Sequence, residues 1–186
     1  VPIEAPTSAN ILAAIERHRV TCLFTAPFAY RSLSTELAGR DISSLKRCVS
    51  AGEFLPKSVS DIWFEKTGIR IIDGIGATEM IHIFISAAGD DIRPGATGKP
   101  LPGYRACVLD EASRPMPPGS TGWLAVTGPT GCRYLDDVRQ RDYVLAGWNV
   151  TGDLYHVDED GYFWFLSRAD DMIVSQTYKM KILPKR

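Results

Sequence analysis

Residues 45–80 read "LKRCVSAGEFLPKSVSDIWFEKTGIRIIDGIGATEM", and the fold class turns on how this stretch is parsed. "LKRCVSAGE" is a short β-rich run that ends in a glycine turn. Pro56 suits the first position of a helix over "KSVSDIWFEKTG", where its missing N–H costs nothing, and Gly68 is a natural stop. "GIRIIDGIG" is then a second strand and turn. Strand, helix, strand at this spacing predicts parallel strands with helical crossovers.

Upstream the alternation continues. "SANILAAIERH" (8–18) has Thr7 or Ser8 as a helix cap and an apolar stripe at Ile11, Leu12 and Ile15. It leads into "VTCLFTA", a β-rich run that Pro27 terminates, and "AYRSLSTEL" reads as another helix stopped by Gly39. From about Arg93 the composition changes to Pro- and Gly-dense sequence with short strands at "YRACVLD" and "WLAVTG". "DLYHVDEDGYFWFLSR" has the pattern of a hairpin turning at Asp158–Gly161. The expectation is an α/β fold: a partial parallel sheet with flanking helices over 1–92, then a small antiparallel β-barrel-like subdomain over 93–169.

Bulk properties narrow the function. The 186 residues are 45% hydrophobic, enough for a core of one domain or slightly more. Net charge is −1 with dispersed Lys and Arg, which leaves no electrostatic footprint for nucleic acid or a membrane surface. No apolar run reaches the roughly 18 residues of a membrane span, and the N-terminus lacks a signal-peptide pattern. Cys22, Cys48, Cys107 and Cys132 are widely spaced without a C-x-x-C, which fits buried, reduced thiols in a cytoplasmic protein.

Two loops follow strands at the end of a parallel sheet where ligands gather: "SAGEFLP" (50–56) and "DGIGATE" (73–79). Glycine there lets backbone approach a flat or charged ligand. Backbone donors and the Thr78 hydroxyl could hold a phosphate, and Glu79 beside it could hold Mg²⁺. A glycine turn followed by Thr-Glu is equally the start of a helix with a capping carboxylate. Asp153 of "TGDL" could accept from two ribose hydroxyls, and Arg168 of "SRADDMI" could pair with phosphate. Singly, Asp153 also reads as a turn residue and Arg168 as a surface ion-pair partner.

The ordered set "SAGEFLP", "DGIGATE", "RPGATGKPLPGY", "GWLAVTGPT", "TGDL" and "SRADDMI" resembles the adenylate-forming (acyl-CoA synthetase) superfamily up to about Ser175. "DGIGATEMIHIF", "TAPFAYRSL" and "GCRYLDD" look most like the benzoate–CoA and 2-aminobenzoate–CoA ligases. The resemblance implies a two-step ligase that uses ATP, Mg²⁺ and coenzyme A on an aryl carboxylate, through an acyl-AMP. By the resemblance, Gly52 and Glu53 pack on one face of adenine. Asp73 offers main chain to the adenine amine, and Gly74, Ile75 and Gly76 lie along the other face. Thr78 touches the α-phosphate, Glu79 binds Mg²⁺, Asp153 takes the ribose hydroxyls, and Arg168 the ribose or phosphate. His82 and Tyr30, with Phe24 and Phe28, line the aryl pocket, although such aromatics and a lone His also serve as ordinary core. Asp170 matches the family's hinge, and 170–186 is hinge plus a tail, "QTYKMKILPKR", outside the family pattern.

The family's lysine loop for the β- and γ-phosphates and its C-terminal lid have no counterpart in the sequence. The chain therefore reads as an internal piece of a ligase, inactive alone, with a truncated sheet edge that favours self-association. A non-catalytic nucleotide-binding module, or an adenylating domain that serves a carrier protein, shares the same motifs.

Overall fold

The computed structural model describes residues 6–168. The first helix, α1 (Ser8–His18), begins where the Thr7 hydroxyl accepts the Asn10 N–H, a cap worth about 1 kcal/mol. It buries Ile11, Leu12 and Ile15. There follow β1 (Cys22–Thr25), α2 (Pro27–Thr35), β2 (Arg47–Ser50), α3 (Lys57–Thr67) and β3 (Ile71–Gly76). Pro27 does more than end β1: it is the first residue of α2. Pro56 sits one place earlier than expected, at the N-cap of α3, and Gly68 closes that helix at φ 70°.

The three strands are parallel, with Cys22 opposite Arg47 and Cys48 opposite Ile71. The sheet then reverses. The strand β4 (Ile83–Ser86) returns antiparallel to β3, and β5 (Lys99–Pro100) runs antiparallel to β4, giving the order β1-β2-β3-β4-β5. The parallel part of the sheet ends here for a geometric reason. Only Ala77–His82 separate β3 from β4, far too few residues for the crossover that a parallel return requires.

Residues from all three helices, among them Leu12, Ile15, Tyr30, Leu33, Val59 and Trp63, close into one apolar cluster with Cys48 and Ile71 of the sheet. The strand β1 lies at the sheet edge and leaves Cys22 exposed. The expectation of four buried thiols is corrected accordingly: Cys48 is buried, Cys107 and Cys132 are half-buried, and all four are free.

Compactness divides the chain into Val1–Leu101 and Pro102–Arg186. The first unit extends to Leu101, because β5 pairs with β4 and draws the Pro- and Gly-rich stretch into it. The second unit contains β6 (Arg105–Leu109), β7 (Thr121–Thr127), the short α4 (Gln140–Tyr143), β8 (Val144–Leu145), β9 (Trp148–Val157) and β10 (Phe163–Arg168). Its sheet is antiparallel in the order β10-β9-β7-β6, with β8 on β9. Leu109, Leu124, Val126, Tyr155 and Phe163 form its buried interior. The β9–β10 turn is built around Asp158, whose carboxylate accepts from the Asp160 and Tyr162 N–H groups and from Trp164 Nε1. Among the described residues, no helix is long and apolar enough to cross a membrane.

Candidate functional site

In the first unit, the candidate residues cluster at the C-terminal ends of β2 and β3. Gly52, just past β2, is exposed at φ 94°, a left-handed conformation that favours glycine, and Glu53 beside it is also exposed. Gly74 and Gly76 lie within β3, and both are demanded by packing. A Cβ on Gly74 would sit 2.7 Å from the Ile83 side chain, and one on Gly76 would sit 2.7 Å from the His82 carbonyl oxygen. Close approach of the returning strand therefore already accounts for these two glycines. Ile75 between them is half-buried.

Thr78 and Glu79 occupy a single 3₁₀ turn (Thr78–Met80), anchored by Met80, which is wholly buried. The residue at the N-cap of this turn, Ala77, makes no side-chain cap bond to it. Thr78 is exposed and Glu79 half-buried.

Asp73 is the most perturbed acid of this unit. Burial pushes its carboxyl up to about 7, against the pull of the Gly74 N–H and the Ser50 hydroxyl. Ser50 lies opposite it in the parallel ladder, and among the described residues Ser50 Oγ and Asp73 Oδ1 are both buried without a hydrogen-bond partner. The Asp73 main-chain carbonyl accepts from Ser86 Oγ at 2.5 Å, so an incoming amine would share that oxygen. A small pocket lined by Leu55, Ser60, Ile71, Arg93 and Thr97 opens beside Asp73.

The four aryl-pocket candidates separate. Phe24 and His82 meet edge-on, with ring centroids 6.0 Å apart. Phe28 is on the surface, 66% exposed. Tyr30 is in the core with no exposed area, and its hydroxyl lies 2.9 Å from both the Leu23 and Val49 carbonyls, tying α2 to β1 and β2. Stacked edge-on against Trp63, it is a structural residue of the described chain.

In the second unit, Asp153 and Arg168 are brought together. Arg168 Nη1 donates to Asp153 Oδ1 at 3.0 Å, with the Asp153 side chain 7% exposed and the Arg168 side chain 53%. Two irregularities create the pair. Trp123 pairs with Leu154 and Ala125 with Val150, so Thr151, Gly152 and Asp153 stand opposite Leu124 alone. Gly152 accommodates this bulge at φ 79°, while the Thr151 hydroxyl donates to the Leu124 carbonyl and accepts the Asp153 N–H. Leu166 is a second bulge on β10, which places Arg168 directly across from Asp153. Burial raises the Asp153 carboxyl, opposed by the Thr151 hydroxyl and then by the Arg168 charge. Asp170 lies outside the described residues.

Chemically, the first unit offers an exposed hydroxyl and a carboxylate on a tight turn beyond the sheet. The second offers a carboxylate with one oxygen bonded to a guanidinium. Among the described residues no three His, Cys, Asp or Glu side chains group closely enough to hold a metal by themselves. Sequence reasoning missed Ser86 and the left-handed Ile81. A Ser on a strand gives no hint of which carbonyl it will meet, and Ile is the last residue type to suggest positive φ.

Comparison with known proteins agrees with the ordered motifs. The rat (Rattus norvegicus) mitochondrial acyl-coenzyme A synthetase ACSM3 is 39% identical over 93% of this chain and 31% of its own length. Benzoate–CoA ligase of Thauera aromatica is 36% identical over 91% of this chain and 33% of its own. Among solved structures, the anthranilate CoA ligase AuaEII in complex with anthranoyl-AMP superposes with a TM-score of 0.87 at 40% identity. That match covers 93% of this chain and 34% of that one. The chain thus spans about a third of the length of these relatives. Residues 1–134 match the family model described as AMP-binding enzyme, and on that match the chain belongs to the AMP-binding enzyme family.

Proposed function

We propose that the protein containing this chain is an ATP-dependent acid–CoA ligase that activates an aromatic carboxylate. The observation that carries this reading is the buried Asp153 carboxylate, bulged out of the β7 ladder and paired at 3.0 Å with Arg168. That arrangement suits a ribose diol beside a phosphate. Anthranoyl-AMP in the complex of the 40%-identical ligase, and the benzoate named for the Thauera aromatica relative, support an aryl acid.

In the first step, a carboxylate oxygen bonds to the α-phosphorus of ATP as the bond to the bridging oxygen of pyrophosphate breaks. In the second, the sulfur of coenzyme A, having lost its proton, bonds to the acyl carbon and AMP leaves. Both partners of the first step are anions, so positioning and counter-charge supply the catalysis. Thr78 would touch the α-phosphate and Arg168 the ribose or phosphate, and Asp153 would hold the diol. Gly52 and Glu53 would face adenine on one side and Gly74–Gly76 on the other, with the Asp73 main chain at its amine. The half-buried Glu79 would suit Mg²⁺, which takes one or two carboxylates and completes its shell with phosphate and water. Bound there, the ion would neutralise phosphate charge. Phe24 and His82 would meet the aryl ring.

The test is AMP release from the full-length protein with benzoate or 2-aminobenzoate, MgATP and coenzyme A. Release is expected to require both acid and thiol, and the chain alone is expected to give none above background. Retained AMP binding without pyrophosphate exchange for any aryl acid would instead support a non-catalytic nucleotide-binding module. The open edge of β1, with Cys22 and Phe24 exposed, supports self-association of the chain alone. Sedimentation velocity should show species larger than a monomer at micromolar concentration, and a single monomer peak would exclude it.

A further inference from the structure

The turn between Glu79 and β4 holds a backbone conformation that its sequence does not favour. Ile81 has φ 72° and ψ −44°, and the His82 N–H donates to the Met80 carbonyl at 2.8 Å. This i to i+2 bond with positive φ is the strained kind of γ-turn, and a β-branched residue is among the worst suited to it. Burial does not offset the strain, because Ile81 is 74% exposed. Glycine would adopt the conformation freely, and this hairpin already uses glycine at positions 74 and 76.

The surroundings show what the turn accomplishes. In the strand order, β2 and β3 separate β1 from β4, which at about 4.8 Å per step sets the two strands roughly 14 Å apart. Yet the ring of His82, adjacent to β4, meets Phe24 of β1 with centroids 6.0 Å apart. The turn must therefore carry His82 back across the strand ends. Met80, fully buried, fixes the chain before Ile81, and the contact of His82 backbone with Gly76 fixes it after. Between these anchors the β-branched Ile81 has few alternative backbone conformations to move to, whereas glycine would have many.

We propose that Ile81 is a positioning residue: its strained turn pins His82 against Phe24 and so fixes the wall that receives the aryl acid. The acid-binding part rests on the ligase reading above, and the pinning of His82 does not. Strain kept at an exposed position next to Thr78 and Glu79 is the pattern of a site held ready for a ligand.

The test compares the parent with Ile81→Gly and Ile81→Val. In the chain itself, the Phe24 ring-current shift on the His82 imidazole protons, defined against a Phe24→Leu control, should collapse in Ile81→Gly and persist in Ile81→Val. The Ile81→Gly melting temperature should stay level or rise. In the full-length protein, Ile81→Gly should raise KM for benzoate or 2-aminobenzoate about ten-fold, leave KM for ATP within about two-fold, and be rescued by Ile81→Val. An unchanged His82 shift in Ile81→Gly overturns the proposal whatever the kinetics. A parent enzyme that turns over no aryl acid removes the ligase reading instead, and the imidazole shift still decides the role of the turn.

Discussion

Asp73→Asn is expected to make the protein more stable at pH 8 while changing it little at pH 4. The Asp73 carboxyl is pushed up to about 7 by burial, whereas in the unfolded chain it ionises near its ordinary 3.8. Between these two values the folded protein holds a proton that the unfolded chain has released. Stability therefore falls as pH rises from about 4 to 7 and stays reduced above. Asparagine has the same shape and no charge to desolvate, so the variant should lack this slope. Each tenfold weakening of the acid corresponds to about 1.4 kcal/mol, so the gain at pH 8 is roughly 2–4 kcal/mol. Other carboxyls, such as Asp110, held low by the Arg114 N–H and guanidinium, are common to both proteins and cancel in the difference. Urea midpoints at pH 4, 6 and 8 provide the measurement. Midpoints of parent and variant that run parallel across this range would show that Asp73 ionises normally.

Removing the guanidinium from Arg168 should cost stability out of proportion to its exposure. Arg168→Met leaves the Asp153 side chain, 7% exposed, without the guanidinium bonded to it. Breaking a buried pair on one side costs about 3–5 kcal/mol, and because Arg168 is itself half-exposed, roughly 2–3 kcal/mol is expected at pH 7. The sign with pH is definite. Burial already raises the Asp153 carboxyl, and losing the Arg168 charge raises it further. The penalty should therefore shrink as pH falls and the carboxyl takes up its proton. Asp153→Asn in the same chain should restore most of the loss at pH 7. A loss in the double variant equal to the sum of the losses in Arg168→Met and Asp153→Asn alone would mean that the two side chains do not interact.

The helices were legible because their signals are local: Thr7 as a cap, Gly68 as a stop, and an apolar stripe at Ile11, Leu12 and Ile15. The parallel pairing of the first three strands followed from the helices between them. What the residues could not reveal was pairing that depends on irregularity. Regular counting back from the Asp158 turn puts Ser167 across from Asp153. The bulge at Leu166 gives that place to Arg168, and nothing in "FWFLSR" announces a bulge. The resemblance brought Asp153 and Arg168 to notice, and the register explains how they meet. Tyr30 shows the opposite difficulty. An aromatic beside a proline reads equally as pocket wall or interior, and only the carbonyls that receive its hydroxyl tell them apart.

The three-against-one mismatch opposite Leu124 also has a mechanical consequence. A regular antiparallel ribbon can slip by two residues and keep its inside and outside faces, at the expense only of its ends. A ribbon with a fixed kink cannot, since the left-handed Gly152 would have to move with the slip, and neither Thr151 nor Asp153 can take over its backbone geometry without strain. The misfit thus behaves as a ratchet tooth, holding β9 at a single setting while it folds and denying the sheet the sliding freedom from which misassembly begins.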